Sequence, residues 1–127
     1  IVDAAHNQDS VAALCETLDR RCSDRSIAVV FGTSIDKDAE SMLQMLAEDA
    51  DRIVLTRFWG NPRFQLPDEL FEKLAEELKS RCQVIEDPVQ ACEAALETVT
   101  PGGTLVACGS FFLAAETRQW FQTAAGE

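Results

Sequence analysis

The residues best suited to chemistry lie in the first ten positions of the chain, Ile-Val-Asp-Ala-Ala-His-Asn-Gln-Asp-Ser. Asp3 and His6 stand three residues apart in a polar turn, close enough to contact a single ligand. A carboxylate accepts hydrogen bonds from sugar hydroxyls, and an imidazole donates to a phosphate. The spacing fits structural roles equally well, with Asp3 capping its own loop and His6 as an exposed turn residue.

Two more polar clusters follow apolar runs. Asp36, Lys37 and Asp38 place a cation between two carboxylates at a predicted helix start, where capping alone would account for the aspartates. Arg57 and Arg63 bracket an aromatic loop and suit a carboxylate or phosphate, although solvated surface arginines would need no ligand.

Gly109 and Ser110 end the last apolar run and begin a helix. Ser110 is either a plain N-cap or part of an anion site, where its hydroxyl would act together with adjacent N–H groups. The sequence has no G-x-x-x-x-G-K-[ST], G-x-G-x-x-G, H-E-x-x-H or G-x-S-x-G motif, and its single histidine has no obvious second base. No motif for catalysis by this chain alone is therefore found.

Hydrophobic periodicity indicates the elements that must position these residues. Helical spacing predicts helices over residues 8 to 22, about 36 to 48, from Pro67 through Leu78, from Pro88 to the turn at Pro101, and about 111 to 121. Apolar runs predict strands in a β-branched segment ending at Asp3 and over residues 26–31, 52–56, 82–85 and 104–108. Such alternation predicts a single α/β domain over residues 1 to 127, with a mostly parallel sheet of about five strands and helices on both faces.

Composition limits the classes of partner. Eleven basic and 22 acidic residues give a net charge of −11, which argues against nucleic acid or an anionic membrane surface. Five cysteines without a C-x-x-C pair predict buried thiols in a reducing compartment, so we expect a cytoplasmic location. The chain opens inside a predicted strand without a methionine, and we expect it to be a piece of a longer polypeptide.

The order of the motifs resembles a known family. The run Val-Asp-Ala-Ala-His-Asn-Gln, residues 2 to 8, is similar to the D-G-A-H-N-P signature of folylpolyglutamate and dihydrofolate synthases, which are members of the Mur-ligase superfamily. It departs from that signature at Ala4 and Gln8. The resemblance continues through Phe31-Gly32, Asp36-Lys37-Asp38, Thr56-Arg57, Pro62-Arg63 and Gly109-Ser110-Phe111-Phe112-Leu113.

The resemblance implies a Rossmann-like C-terminal domain of an ATP-dependent amide ligase, inactive on its own. ATP would phosphorylate a carboxylate of a folate or pteroate, and the amino group of L-glutamate would attack the acyl phosphate, releasing ADP and phosphate. The P-loop and most of the Mg²⁺ site would belong to a central ATPase domain of the same polypeptide, with the active site in the cleft between the two domains.

The resemblance also implies roles for individual residues. Asp3 would contact the ATP ribose, Asn7 would bind the nucleotide, and His6 would lie near the phosphates or the reacting centre, as the one catalytic candidate. Ser110 would help to bind the incoming glutamate. Lys37 and Arg63 are further candidates for substrate binding, and no metal ligand is assigned.

Two other classes stay open. A Mur ligase that builds cell-wall peptide precursors would share the fold and the Asp/His loop but would carry a different substrate-carboxylate motif. A non-catalytic flavodoxin-like or receiver-like module would also alternate strands and helices, but it would not explain polar residues after four of the five predicted strands. Strand order, and the choice between the two folate reactions, are not determined by the sequence.

Overall fold

The computed structural model describes residues 1 to 22 and 26 to 125. Within these ranges the strands are β1 (Ile27–Phe31), β2 (Arg52–Leu55), β3 (Cys82–Val84) and β4 (Thr104–Cys108). The helices are α1 (Gln8–Cys22), α2 (Ala39–Ala47), α3 (Pro67–Lys73), α4 (Glu76–Lys79), α5 (Pro88–Thr98) and α6 (Phe111–Ala125). The predicted alternation of strands and helices is confirmed.

The strands form one parallel sheet in the order β3-β2-β1-β4. In the middle of the sheet, Val29 of β1 pairs with Ile53 of β2 on one side and with Val106 of β4 on the other. Every residue of β1 is buried, as its continuous apolar run predicted. The carboxyl ends of the strands therefore meet at one edge of the sheet.

The first predicted strand is reduced to a single parallel bridge between Val2 and Ala107. Asp3 N donates to Ala107 O at 3.0 Å, and Ala107 N donates to Ile1 O at 2.9 Å. Only Ile1 and Val2 are β-branched before the polar turn, so the pairing does not extend into a ladder. The prediction of about five strands is corrected to four strands and a bridge, which lies beside β4.

Two helix predictions are also corrected. The helix α2 begins at Ala39 rather than near Asp36, because the Asp38 carboxylate accepts a hydrogen bond from Ser41 N at 3.2 Å and caps the helix. The helix predicted from Pro67 is divided into α3 and α4 by extended backbone at Leu74. Acidic residues occupy the first turn of α4, where the positive end of a helix favours carboxylates.

Helices cover both faces of the sheet, as predicted. One core packs α1, α2 and α3 against the face that carries Val29 and Ile53, and the other packs α5 and α6 against the face that carries Val30 and Val54. This alternation follows from the two-residue period of a strand. No helix in the described ranges is both long and apolar enough to cross a membrane.

The thiols of four cysteines are free: Cys92 and Cys108 are buried, and Cys15 and Cys82 are partly buried. Burial raises the pKa of the Cys92 thiol to about 12, so this group is inert at neutral pH. For Cys22, the predicted buried thiol lies outside the described part of the structure.

Candidate functional site

The loop after Val2 is shaped by its own polar groups. Asp3 Oδ1 accepts a hydrogen bond from Ala5 N at 2.8 Å, and Ala5 O accepts one from Gly109 N at 2.8 Å. His6 Nδ1 lies 2.9 Å from Ala4 O. Because a carbonyl oxygen only accepts, we assign the proton of this contact to Nδ1, which leaves Nε2 of the neutral ring as an acceptor.

Asn7 is the N-cap of α1, directly before Gln8. Its Oδ1 accepts hydrogen bonds from Ser10 N and Ser10 Oγ, both at 2.8 Å. In return, Ser10 Oγ accepts the backbone N–H groups of His6 and Asn7 at 3.0 and 3.1 Å. The loop therefore enters α1 with a fixed geometry.

The loop after β4 contacts the loop after Val2. Gly109 has a φ of +112°, and a Cβ at this position would lie 2.6 Å from Gly32 O, so only glycine fits. Ser110 is buried and caps α6, because its Oγ accepts a hydrogen bond from Phe112 N at 3.0 Å. The rings of Phe111 and His6 lie 4.9 Å apart.

Three of the predicted site residues, His6, Lys37 and Ser110, line one cavity of about 180 Å³. Its remaining lining residues are Ser34, Gly109, Phe111 and Phe112. A neighbouring cavity of about 190 Å³ is lined by Asn7, Gln8, Asp36, Lys37, Asp38 and Met42. Lys37 thus borders both cavities, and its ammonium group forms no ion pair with any described carboxylate.

Two of the predicted residues do not line these cavities. Asp3 is half-buried beside β4 and uses one carboxylate oxygen within its own loop. The Arg63 side chain is exposed, whereas its backbone is fixed: Arg63 N donates to Asn61 Oδ1 at 2.8 Å, and Arg63 O accepts from Ile35 N at 2.8 Å. Neither side chain is part of the lining of the two cavities.

The Arg57 side chain is held by contacts with two aromatic rings and one carboxylate. Its guanidinium carbon lies 4.0 Å from the ring centre of Trp59 and 3.4 Å from that of Phe64, and its terminal nitrogen is 3.3 Å from a Glu86 carboxylate oxygen. These contacts hold the loop after β2 against the end of β3.

Three residues that line the first cavity were not selected from the sequence: Ser34, Phe111 and Phe112. Ser34 follows a buried strand in the same way as the selected residues, so its position was an available signal. The two phenylalanines resembled core positions, and only their exposure, 62% for Phe111 and 38% for Phe112, reveals them as site residues.

Charge at the site is mixed. Hydrogen bonds from Ser41 lower the pKa of Asp38, which stays ionised beside Lys37. Among the described residues, no group of three or more His, Cys, Asp or Glu side chains is placed to hold a metal ion. An ammonium group at Lys37 and a helix N-terminus at Ser110 are the kinds of group that bind anionic ligands.

A larger cavity, of about 350 Å³, lies away from this edge. It borders α2 and α4, where Arg81 donates to Ala47 O at 2.9 Å and to Ala50 O at 2.8 Å. Because these bonds satisfy carbonyls at the end of α2, Arg81 has a capping role there.

Together, the parallel sheet and the polar loops at its carboxyl edge define a Rossmann-like α/β domain. A sequence model described as "Mur ligase, glutamate ligase domain" matches residues 1–111. The chain belongs to this family, as its motifs predicted.

The relatives include both kinds of ligase that the sequence left open. Folylpolyglutamate synthase of Mycobacterium tuberculosis, solved with ADP and AMPPCP, superposes with a TM-score of 0.83 at 27% identity, covering 94% of this chain and 29% of that one. The UDP-N-acetylmuramoyl-L-alanyl-D-glutamate–2,6-diaminopimelate ligase of Chlorobaculum tepidum is 31% identical over 86% of this chain and 22% of its own length. The dihydrofolate synthase/folylpolyglutamate synthase of Bacillus subtilis is 30% identical over 73% of this chain and 21% of its own. The chain spans about a fifth of the length of these curated relatives.

Proposed function

We propose that the chain is the C-terminal domain of an ATP-dependent amide ligase and supplies nucleotide and amino-acid contacts in a cleft against a central ATPase domain. The observation that carries this proposal is the shared cavity of His6, Lys37 and Ser110 in a chain of the Mur ligase family. A free ammonium group beside a helix N-terminus suits a carboxylate, a phosphate or an acyl phosphate.

Exposed apolar side chains around the cavity support the proposal that another domain covers it. Ile35, Trp59 and Phe111 are large apolar side chains with exposures of 59%, 54% and 62%, and all three lie on loops or helix starts at the carboxyl edge. Apolar side chains gathered at one edge are typical of an interface. We assign this edge to the contact with the central domain.

For the reaction, we propose that L-glutamate is added to dihydropteroate or to a folyl-(poly)glutamate. The support is the structural likeness to folylpolyglutamate synthase and the order of the motifs over nearly the whole chain. ATP would form an acyl phosphate on the acceptor carboxylate, and the glutamate amine would displace phosphate from it. Such chemistry depends mainly on positioning and on charge stabilisation.

The proposed nucleotide contacts lie on the loop after Val2, and the proposed substrate contacts lie on the loops after β1, β2 and β4. Asp3 contacts the ribose, Asn7 contacts the nucleotide, and His6 acts near the phosphates, where its Nε2 is not used by the loop. Ser110 binds the glutamate, with Lys37 and Arg63 as further substrate contacts. Mg²⁺ would be held mainly by the central domain, because the described residues offer no ligand cluster.

A second candidate is a ligase for cell-wall peptide precursors. It is favoured by the 31% identity to a diaminopimelate-adding ligase over 86% of the chain. The same loops would then hold ATP and a different amino acid, and the exposed Arg63 would contact that substrate.

The test is ADP release by the full-length ligase in the presence of ATP, Mg²⁺ and L-glutamate. We expect release to require dihydropteroate or a reduced folate as acceptor, and Lys37→Ala to lower it by at least about tenfold. Lys73→Ala removes an exposed lysine of α3 and serves as the matched control, with unchanged release. Release only with a UDP-linked muramoyl peptide and its amino acid would support the second candidate, and no release with any acceptor would favour a binding module.

A further inference from the structure

A carboxylate of α6 is bound by the backbone of the loop after β2. Glu116 Oε1 accepts a hydrogen bond from Trp59 N at 2.8 Å, and Glu116 Oε2 accepts from Gly60 N at 2.8 Å, with Trp59 N also 3.0 Å away. A Cβ on Gly60 would lie 3.2 Å from Oε2, so glycine allows the close approach. Two consecutive N–H groups directed at one carboxylate form charge-assisted hydrogen bonds, which are stronger than neutral ones.

The same face of α6 makes a second contact with this loop. Phe112 lies one helical turn before Glu116, and its ring stacks on Phe58 with 5.3 Å between centres and 25° between planes. Phe112 N is also the group that Ser110 caps. The helix that carries the proposed glutamate-binding serine is therefore joined to the loop after β2 at two adjacent points.

The far end of this loop is joined to the loop that carries Lys37. Phe64 forms an antiparallel bridge with Ser34, and Ile35 N donates to Arg63 O at 2.8 Å. Lys37 N in turn donates to Ser34 O at 3.1 Å. Hydrogen bonds at its two ends thus join the segment of residues 59 to 64 to Glu116 and to the turn at Lys37.

The loop of Asp3, His6 and Asn7, which is proposed to bind the nucleotide, is held in place by other hydrogen bonds. Its hydrogen bonds run from Asp3 to Ala5, from Ser10 to Asn7, and from Ala5 to Gly109, and none of these includes Glu116 or residues 58 to 64. Its contact with α6 is the ring pair of His6 and Phe111, at the start of that helix. We therefore expect a change at Glu116 to affect Lys37 and Arg63 more than the loop of Asp3 and Asn7.

We propose that Glu116 is a positioning residue for the amino-acid substrate: it fixes the loop after β2, and through that loop the places of Arg63 and Lys37 relative to Ser110. This inference rests on the proposed function, because it takes Ser110, Lys37 and Arg63 as the residues that bind the amino acid. Glu116 itself does not line the cavity and is assigned no contact with substrate.

The test compares Glu116→Ala and Glu116→Gln in the full-length ligase, with Glu97→Gln on an exposed face of α5 as the control. We expect Glu116→Ala to raise the KM for the amino acid by about tenfold and to leave the KM for ATP within about twofold. Glu116→Gln keeps one acceptor oxygen without the charge, so its effect should be intermediate. Glu97→Gln should match the wild type.

Amide hydrogen exchange at Trp59 and Gly60 provides a readout that does not depend on activity. Exchange of both amides should accelerate in Glu116→Ala, with exchange in the central strands β1 and β4 unchanged. Unchanged exchange at these two amides, or faster exchange with unchanged kinetics, would overturn the proposal. Equal increases in both KM values would overturn it as well, since they would indicate a general structural role.

A wild-type enzyme without ADP release would contradict the proposed function, while the exchange data would still show whether Glu116 holds the loop.

Discussion

At the scale of single residues, the polar side chains of the site combine structural and proposed chemical roles. Asn7, Asp38 and Ser110 each cap a helix, and Asp3 accepts a hydrogen bond within its own loop. The structural and functional interpretations of the sequence are therefore not exclusive. A cap fixes a side chain at a helix N-terminus, which is where an anionic ligand is most stabilised.

Ser110 allows the two roles to be separated. Ser110→Ala should raise the KM for L-glutamate by about tenfold and leave the KM for ATP nearly unchanged, because the lost hydroxyl is proposed to contact only the amino acid. The lost cap should also lower the free energy of unfolding by about 1 kcal/mol. Initial-rate kinetics of the full-length ligase and urea unfolding measure the two effects.

The matched control is Asp87→Ala, which removes the hydrogen bond from Gln90 N to the Asp87 carboxylate at the start of α5. It should lower stability by a similar amount without changing either KM. A larger rise in the KM for ATP than for glutamate in Ser110→Ala would assign Ser110 to the nucleotide instead.

At the scale of elements, the sequence predicts what depends on local chemistry. The buried β1 strand and the start of α5 at Pro88 were predicted correctly, because apolar continuity and a proline at the first helical position are visible over a few residues. The division between α3 and α4 was missed, since acidic residues at Glu76 and Glu77 fit both the interior and the start of a helix. The contact of Glu116 with Trp59 spans 57 positions and leaves no local signal.

Asp49, which lies where the end of α2 meets α1, should make the free energy of unfolding depend on pH. Partial burial, and then a hydrogen bond and repulsion from Asp19, raise the pKa of Asp49 to about 6, with a further contribution from Glu48. The native state therefore binds a proton at Asp49 more tightly than the unfolded chain does. The stability that this proton contributes is lost as pH rises from about 4 to about 6. Asp49→Asn imitates the protonated group. Its gain in stability over the wild type should be near zero at pH 4 and largest above pH 6, where we expect less than about 1 kcal/mol because Asp49 is partly exposed.

Urea unfolding at several pH values measures this gain. Asp19→Asn should reduce the same pH-dependent difference, since it removes the main neighbouring charge. A gain for Asp49→Asn that is equal at pH 4 and pH 7 would show that Asp49 has an ordinary pKa.

At the scale of the whole molecule, an acidic protein is proposed to bind acidic ligands. The net charge of −11 disfavours the binding of anionic ligands. Three cationic side chains, Lys37, Arg57 and Arg63, lie on loops at the carboxyl edge and reduce the electrostatic repulsion there. The chain carries 22 acidic residues in all, and Asp36 and Asp38 flank Lys37 at this edge. Long-range repulsion among these carboxylates should oppose both ligand approach and folding.

Salt should therefore stabilise the chain. Raising ionic strength from about 0.02 to about 0.3 M shortens the screening length from roughly 20 to roughly 6 Å, which weakens repulsion between distant carboxylates. The described ion pairs that salt would also weaken, Arg57 with Glu86 and Lys79 with Glu72 and Glu76, join exposed carboxylates and contribute little. The urea midpoint at pH 7 should rise with salt, and the rise should nearly vanish close to pH 4.4, the isoelectric point of the sequence. A midpoint that falls with salt at pH 7 would mean that attractive pairs outweigh the repulsion of the acidic surface.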